Sequence, residues 1–387
     1  MVWNWQHSDW PEFQWNCDRI SQAEKRFLLG SGILLGVVTH LDASDRDRLI
    51  VEAMSDEAVT TSQIEGELLN RDSVQSSIRR QLGLDTDNRR VQPAERGIGE
   101  MMVALYKDFA APLDHDTLFK WHGMLMQGRR DLRDIGAYRA HAEPMQIVSS
   151  RLDTHKVHFE APPSKVVASE MERFIAWFNA SGENGTNVLP AVTRAGVAHL
   201  YFESIHPFED GNGRIGRAIS EKALAQALGQ ASFTGLSPAI LARRPLYYSA
   251  LEASQRGNEI TEWLAWFAAI TLEAQERTRA QVEFLLDKTK FLDRFRDRFN
   301  KRQYAALLRM LREGPEGFKG GLSASNYAAI TNASPATSTR DLAELVEAGA
   351  LQRTGERKHT RYRLPIQLRS APQIVINSSG DIQIVAT

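Results

Sequence analysis

The sequence of 387 residues is poor in cysteine and contains no hydrophobic run long enough to cross a membrane. Cys17 is the only cysteine, which excludes an internal disulfide framework and fits a reducing compartment. The most apolar stretch, residues 27–41, is shorter than the ~20 apolar residues of a membrane span, so it predicts a buried helix. The first residues lack the pattern of a secretory signal peptide. We therefore expect a cytoplasmic protein that does not span a membrane.

A strong excess of charge of one sign is also absent. The formal net charge is −1, so the chain as a whole is not a polycation and any nucleic-acid surface must be local. Residues 289–365 are the one strongly basic region, because they hold 15 Lys or Arg against 8 Asp or Glu. This region is the only place where charge alone suggests a nucleic-acid partner.

Helical patterning is what the sequence does contain, over most of its length. Apolar residues recur at helical spacing in most stretches, which predicts a mainly α fold. Two short β-like runs, residues 146–149 and 156–160, predict a small hairpin around Ser150–His155. A second hairpin is predicted in the tail, around Ser379-Gly380-Asp381.

Changes in this pattern divide the chain into four parts. Three helical stretches followed by two strand-like runs around a basic turn are typical of a winged helix-turn-helix, and they lie after residue 297. The predicted parts are a helical N-terminal domain (1–95), a helical core with the first hairpin (96–280), a connector helix with the winged helix (281–365) and a β-hairpin tail (366–387).

The segment 206–217, HPFEDGNGRIGR, combines a base and a metal ligand in one loop. His206 ends a helix that Pro207 stops, and an imidazole can accept a proton from an alcohol near neutral pH. Asp210 is an oxygen ligand suited to Mg²⁺, which binds one or two carboxylates together with phosphate oxygens. The loop therefore predicts a site for chemistry on a phosphate compound.

The second half of this segment predicts an anion site at the start of a helix. Gly211 and Gly213 allow backbone N–H groups to turn towards an anion. Arg214 and Arg217 are three residues apart, so both lie on one face of the helix, close to where further phosphates would bind.

The segment resembles the signature HPFxxGNGRxxR of the Fic family, and every fixed position is matched. The resemblance implies an enzyme that transfers AMP from ATP to a protein hydroxyl, with His206 as the base and Asp210 holding Mg²⁺ between the α- and β-phosphates. It also implies that the backbone of Gly211 and Gly213 binds phosphate oxygens. Three further side chains would contact the nucleotide phosphates: Asn212 by hydrogen bonds, and Arg214 and Arg217 at the β- and γ-phosphates.

A zinc site is the alternative use of the same region. His199, Glu203 and His206 lie four and three residues apart on one helix face. This spacing alone is a weak zinc pattern, and no cysteine ligand is near it in the sequence. The preferred interpretation of His199 is a packed or hydrogen-bonded helix residue.

An earlier helical stretch predicts an internal inhibitor. Thr61, Glu65 and Gly66 resemble the inhibitory motif [S/T]xxxE[G/N] of the family. The resemblance implies that Glu65 pairs with Arg217 in place of the γ-phosphate, so that ATP binds only unproductively. The alternative is an ordinary helix that ends at Gly66. In some family members the same glutamate serves in the removal of AMP, and the sequence does not decide between the two uses.

Two further elements complete the predicted pocket. The first hairpin resembles the flap along which Fic proteins bind a target segment by strand addition. The stretch 244–255 resembles the helix that contacts adenine, with Tyr248, Leu251 and Gln255 on one face. Family members often have Asn at the position of Gln255, which leaves that contact open.

The basic C-terminal region has two interpretations. Residues at the start of the predicted recognition helix and on the wing suit DNA contacts, whereas winged helices also bind proteins or form dimers. The candidates are Thr337, Ser338, Thr339 and Arg340 on the helix and Arg357, Lys358, His359, Arg361 and Arg363 on the wing. A homodimer stays open for the same reason.

Three hypotheses of function result. The leading one is an autoinhibited protein adenylyltransferase that uses ATP and Mg²⁺. The second is a DNA-binding regulator whose Fic core senses nucleotides. The third is a Fic enzyme that transfers a different phosphate-linked group. Targets and oligomeric state are beyond the sequence.

Overall fold

A computed structural model of the chain describes residues 2–87, 89–151, 154–231, 234–314, 317–318, 320–366 and 371–385. The described residues divide into two compact units, of which the first comprises Met1–Gln275 with Pro372–Thr387 and the second Glu276–Ala371. The predicted border at 95 lies within the first unit, and the border at 280 lies within a continuous helix. The four-part division stays a prediction.

The fold is mainly helical with three small hairpins, as the spacing of apolar residues predicts. A short 3-10 helix, Asn4–Gln6, precedes the regular elements. The elements in chain order are α1 (Cys17–Thr39), α2 (Ala43–Ile64), α3 (Arg71–Gln81), α4 (Pro93–Lys107), α5 (His115–Leu125), β1 (Gln146–Arg151), β2 (Thr154–Glu160), α6 (Ser164–Ala180), α7 (Ala191–Ile205), α8 (Asn212–Leu228), α9 (Leu236–Ala242), α10 (Arg244–Ser254), α11 (Thr261–Arg294), α12 (Lys301–Leu311), α13 (Ala324–Thr331), α14 (Pro335–Glu347), β3 (Gln352–Thr354), β4 (Arg361–Arg363), β5 (Gln373–Ile376) and β6 (Ile382–Val385).

Helix α7 forms the centre of the first unit. All of its residues are buried, which fits a helix that is apolar on every side. It packs along α8, and the indole of Trp263 on α11 donates to the carbonyl of Gly196 at 2.8 Å. This packing fixes the two helix ends, at His206 and Asn212, between which the candidate site lies.

Helix α2 is held in the first unit by apolar and polar contacts. Met54, Ala58 and Ile64 are fully buried on the side that meets the core. On the same helix, the buried carboxylate of Glu57 accepts hydrogen bonds from the backbone N–H and the hydroxyl of Ser237 at the start of α9. The end of α2 is thereby held close to α8.

Strands β1 and β2 pair antiparallel and form the predicted flap hairpin. Both strands are longer than the β-like runs suggest, because Ser150, Arg151, Thr154 and His155 extend the ladder into the predicted turn. The residues between them, 152–153, lie outside the described chain. An irregularity between Ile147 and Val148 shifts the register.

The second unit contains the end of α11, helices α12–α14 and the hairpin β3–β4, in the order that the sequence predicts. Its core includes Leu307, Tyr327, Leu342 and Leu345. The assignment of this unit as a winged helix stays a prediction.

One predicted DNA contact in the second unit is wrong. Ser338 is fully buried on α14, and its hydroxyl donates to the carbonyl of Ser334 at 3.0 Å. Thr339 and Arg340 are exposed on the same helix, whereas the side chain of Lys358 lies outside the described part of the structure.

The C-terminal hairpin β5–β6 belongs to the first unit. Ile374 and Ile376 are buried in the core of that unit. The N–H of Ile374 donates to Glu273 on α11, and its carbonyl accepts from Arg243 at 3.3 Å. Across the described residues, no helix combines the length and apolar character needed to cross a membrane.

Candidate active site

His206 lies at the end of α7 in a left-handed backbone conformation, with φ 49° and ψ 61°. Such a conformation costs energy in a residue with a side chain, so the surroundings must hold it. Buried Arg139 does so, because its Nε donates to the carbonyl of His206 at 2.8 Å and its Nη2 to that of Pro162 at 2.6 Å. Burial lowers the pKa of Arg139 to about 10. Arg139 therefore connects the turn at His206 to the end of the flap.

Glu203, one turn before His206 on α7, lies behind the imidazole. The distance from Glu203 Oε2 to His206 Nδ1 is 3.6 Å, longer than a hydrogen bond. Burial would raise the pKa of Glu203, but the neighbouring His206 and the charge of Arg217 hold it below its usual value.

The loop between His206 and α8 is closed by the side chain of Asn212. Its Oδ1 accepts from the N–H of Phe208 at 2.9 Å, and its Nδ2 donates to the carbonyl of Phe208 at 2.8 Å. The structure thus uses both polar atoms of this side chain within the loop, and a contact of Asn212 with phosphate stays a prediction.

His122 on α5 supports the same loop, which no sequence pattern indicated. Its ring stacks on Phe208 with centroids 4.2 Å apart, its Nε2 lies 3.2 Å from the carbonyl of Asp210, and its Nδ1 accepts from the N–H of Gly136. Burial lowers the pKa of His122 to about 4, so the imidazole is neutral near pH 7. Because the partners of His122 lie far away in sequence, no local pattern predicts its role.

Arg217 and Glu65 meet at the N-terminus of α8, as the sequence predicts. Arg217 is almost fully buried, and its Nη2 donates to Glu65 Oε1 at 2.7 Å. Its Nε donates to the hydroxyl of Thr61 at 2.7 Å. Burial alone would lower the pKa of Arg217, but the charge of Glu65 raises it above its usual range. The end of α2 is thus bound to α8 by an ion pair between a buried arginine and a partly exposed glutamate.

The carboxylate of Glu65 also lies directly over Gly213. A side chain at Gly213 would collide with Glu65, so only glycine leaves room for a carboxylate, or another anion, at this helix N-terminus. The N–H groups in the first turn of α8 have no partner within the helix, so this helix N-terminus is suited to an anion. The carboxylate of Glu65 lies beside it.

Asp210 and Arg214 form a second group of charges beside this site. Arg214 donates to Asp210 Oδ1 at 3.2 Å and to Glu67 Oε2 at 2.8 Å, and Arg129 donates to Asp210 Oδ2 at 2.6 Å. Burial would raise the pKa of Asp210, but Arg129 and Arg214 hold it below its usual value. Neither Arg129 nor Glu67 belongs to a motif found in the sequence.

These residues fit a nucleotide phosphate chain with Mg²⁺. Among the described residues, the buried Nη1 of Arg217 and Nε of Arg214 have no hydrogen-bond partner, so each can donate to a bound anion. The described residues contain no group of three or more His, Cys, Asp or Glu placed around one metal position. An ion at Asp210 would therefore depend on phosphate oxygens for further ligands.

Two of the residues predicted at the adenine, Tyr248 and Leu251, lie on α10, and Gln255 directly follows its last residue. Tyr248 is partly exposed, and its hydroxyl donates to the carbonyl of Ile64 at 3.0 Å, while Leu251 is buried. Gln255 is buried as well, and its Nε2 donates to the carbonyl of Glu203 on α7 at 3.4 Å. An adenine contact by these residues stays a prediction.

His199 occupies the packed position that the preferred interpretation gave it. The ring is fully buried, stacks on Trp263 and has its Nε2 2.8 Å from the hydroxyl of Tyr247. Its Nδ1 lies 3.3 Å from the hydroxyl of Ser220. Both nitrogens therefore serve the core of the first unit.

The tryptophan-rich start of the chain contacts the end of α7, which sequence patterns did not reveal. Asn4 is fully buried, and its Nδ2 donates to the hydroxyl of Ser204 at 2.8 Å. Its backbone N–H donates to the carbonyl of Gln255 at 2.9 Å. Trp5 donates to the carbonyl of Glu160 at the end of the flap. This segment therefore joins three elements that surround His206.

Two family models match the chain. The Fic/DOC family model matches residues 112–224, which include α7 and the start of α8. A model described as a domain of unknown function, DUF4172, matches residues 3–84, which include α2.

Curated relatives and solved structures carry corresponding names. A probable protein adenylyltransferase of Aquifex aeolicus is 30% identical over 99 residues, which cover 26% of this chain and 27% of the relative. Protein adenylyltransferase Fic of Drosophila mojavensis is 31% identical over 121 residues, 30% of this chain and 22% of the relative. The matches thus span about a quarter of each relative. A Fic family protein from Desulfovibrio desulfuricans G20 aligns with 88% of this chain and 95% of its own, at 21% identity and a TM-score of 0.49.

The matched segment and the geometry agree. The family model covers the helix end, the loop and the helix N-terminus that place His206, Asp210 and Arg217. The chain therefore contains a Fic/DOC domain at residues 112–224.

Proposed function

We propose that this protein is an autoinhibited protein adenylyltransferase, which transfers AMP from ATP to a hydroxyl group of a target protein or of itself. The observation that carries the proposal is the carboxylate of Glu65, which lies against Gly213 and Arg217 at an anion site next to His206. An acidic group from a separate helix in this position accounts for both phosphate chemistry and its control. The names of the curated relatives support the same activity.

In the proposed reaction, the target oxygen forms a bond to the α-phosphorus of ATP, and the bond from that phosphorus to pyrophosphate breaks. The hydroxyl proton passes to His206. Since Nδ1 of the ring faces Glu203, Nε2 is the nitrogen that accepts the proton. The ionised carboxylate of Glu203 stabilises the imidazolium that results.

The leaving pyrophosphate needs neutralisation, which Mg²⁺ supplies in part when it is bound. Asp210 is the residue that would hold the ion. The first N–H groups of α8 would bind phosphate oxygens, and the unpartnered nitrogens of Arg214 and Arg217 would donate to the phosphate chain. Positioning and charge neutralisation supply most of the catalysis in this scheme.

Target binding is proposed along the flap. The hairpin β1–β2 is a two-stranded sheet, and an extended segment of a target can add to an edge of such a sheet. Ile147 and Val148 on β1 are partly exposed and offer apolar contacts to that segment. Strand addition would bring a target hydroxyl towards His206, because Arg139 ties the end of the flap to the histidine turn.

Labelling with α-³²P-ATP and Mg²⁺ tests the proposal. We expect little labelling of the wild type, strong self-labelling of Glu65→Gly, and none of Glu65→Gly with His206→Ala. Absence of label in Glu65→Gly would contradict AMP transfer, and γ-labelled ATP and other nucleotides would then test transfer of another group.

The use of Glu65 in AMP removal is tested by the reverse assay. Glu65→Gly protein is labelled, its nucleotide is removed, and wild-type protein is added. Release of the label by wild type, and not by Glu65→Gln, would assign a removal function to this carboxylate.

DNA binding by the second unit is a second candidate, favoured by its exposed cations. Arg340 on α14 and Arg353, Arg357 and Arg363 of the hairpin region are all exposed. We expect the full chain to shift duplex DNA at low salt, and the combined change of Arg340, Arg357 and Arg363 to alanine to abolish the shift. A shift that this variant keeps would reject the role of these three arginines, and no shift above generic background would reject DNA binding in favour of a protein contact.

A further inference from the structure

The segment after α2 directs two carboxylates, not one, to the start of α8. In a continuous helix the side chains of residues 65 and 67 would be related by a rotation of about 200° around the helix axis, so they would lie on nearly opposite sides. Gly66, with φ +86°, ends the helix instead. The N–H groups of Gly66 and Glu67 donate to the carbonyls of Gln63 and Ser62, both at 3.0 Å, in a Schellman motif. This turn allows Glu65 and Glu67 to reach the same helix.

The two carboxylates bind different arginines. Glu65 accepts from Arg217 at 2.7 Å, and Glu67 accepts from Nη1 of Arg214 at 2.8 Å. Arg214 is mostly buried, whereas the side chain of Glu67 is 37% exposed. The other terminal nitrogen of Arg214 donates to Asp210 at 3.2 Å. Glu67 therefore occupies a further donor of the arginine whose unpartnered Nε the proposed function assigns to phosphate, beside the proposed metal ligand.

We propose that Glu67 is a second determinant of nucleotide binding. Its carboxylate binds Arg214 where a phosphate group would, and it therefore disfavours nucleotides with a phosphate chain. The inference rests on the proposed function and deepens it. It goes beyond the inhibitory motif, which ends at Gly66. Two effects act in the same direction, because Glu67 competes for Nη1 of Arg214 and its negative charge repels the phosphates.

The alternative role of Glu67 is to support the position of Glu65. The two roles differ in a measurable way. If each carboxylate acts on its own arginine, the effects of removing them multiply in the dissociation constant. If Glu67 acts only through Glu65, its removal has no effect once Glu65 has been changed.

Isothermal titration calorimetry of the full chain with ATP, ADP and AMP, at constant Mg²⁺, tests the inference. The variants are Glu67→Gln, Glu65→Gln and the double variant, with the exposed Glu183→Gln as a control for loss of one negative charge. Glutamine keeps the shape and hydrogen-bonding capacity of each side chain, and thermal melting verifies that each variant is folded.

We expect Glu67→Gln to tighten binding of ATP and ADP by roughly three- to tenfold, both in the wild type and in Glu65→Gln. Binding of AMP and the control variant should be unchanged. An effect of Glu67→Gln that disappears in Glu65→Gln, or that is equal for AMP and ATP, would overturn the role of Glu67 alone. Failure of Glu65→Gln to bind ATP at all would overturn the proposed function and this inference with it.

Discussion

Two buried arginines near His206 have opposite kinds of partners. Arg139 donates to backbone carbonyls and to the hydroxyl of Ser164, and no carboxylate pairs with it in the described residues. Arg217 pairs with a carboxylate from another helix and has one nitrogen without a partner in the described chain. The partners of Arg139 are backbone carbonyls and a hydroxyl of the fold itself. The carboxylate that pairs with Arg217, in contrast, can be replaced by a bound anion. The first arrangement suits a structural clamp and the second suits a binding site.

The largest expected effect separates these two arginines by stability. Arg139→Met leaves the carbonyls of His206 and Pro162 buried without donors, and should cost about 3–5 kcal/mol of the free energy of unfolding. Arg217→Met should cost less, about 1–2 kcal/mol, because the carboxylate of Glu65 is partly exposed and can be hydrated. Urea denaturation followed by tryptophan fluorescence measures both values. Equal losses would show that the two arginines do not differ in kind.

A second test extends the comparison to carboxylates. Glu57 and Glu221 are buried and receive hydrogen bonds from N–H groups and a hydroxyl of residues 234–237. Burial raises the pKa of Glu57, and burial together with the charge of Glu57 raises the pKa of Glu221 to about 8. The raised pKa values favour the protonated, uncharged form of these carboxyl groups. Glu65 instead forms a close ion pair with Arg217.

The sign of the resulting pH dependence follows from these raised values. The folded protein binds more protons than the unfolded chain, so this contribution to stability is complete below about pH 4.5 and is lost as the pH rises towards 8. We expect the free energy of unfolding to fall by about 3 kcal/mol between pH 5 and 8. In Glu221→Gln this fall should become smaller. If the pH dependence of the free energy of unfolding is unchanged in that variant, another group binds the proton in the folded protein.

The smallest expected effect concerns Asn4, which joins α7 to the start of the chain. Asn4→Ala removes the hydrogen bond to Ser204 and should cost about 1 kcal/mol of stability. In a Glu65→Gly background we expect slower self-labelling with unchanged ATP affinity, because Ser204 lies next to His206 and away from the phosphate residues. Calorimetry and labelling of the same preparation measure both quantities. A matching loss of ATP affinity would contradict a role of Asn4 that is limited to the position of α7.

The loop 206–217 could be predicted in detail because its chemistry depends on residues that are close in sequence. The helix stop, the glycines and the two arginines define it without knowledge of the rest of the fold. The pairing of Glu65 with Arg217 could be predicted only through the resemblance to a family. No sequence pattern indicated that Glu67 binds Arg214, because its partner lies far away in the chain.

Two side chains have partners that no sequence pattern indicated. Gln255 is buried, and its Nε2 donates to the carbonyl of Glu203. Ser338 stands early on α14, yet it bonds its own helix. The longer flap strands show a similar limit, because pairing with the opposite strand extended them beyond their apolar residues.

The return of β5 and β6 to the first unit makes the second unit an insertion. Residues 276–371 leave and re-enter the same compact unit, so both of their ends are fixed. Unfolding of the inserted part would therefore lengthen a closed loop and would not release a free chain end, which limits the entropy gained. A chain cut at residue 275 would also lose Ile374 and Ile376 from the core of the first unit. A shortened form of the catalytic unit should therefore replace residues 276–371 with a linker and keep the final hairpin.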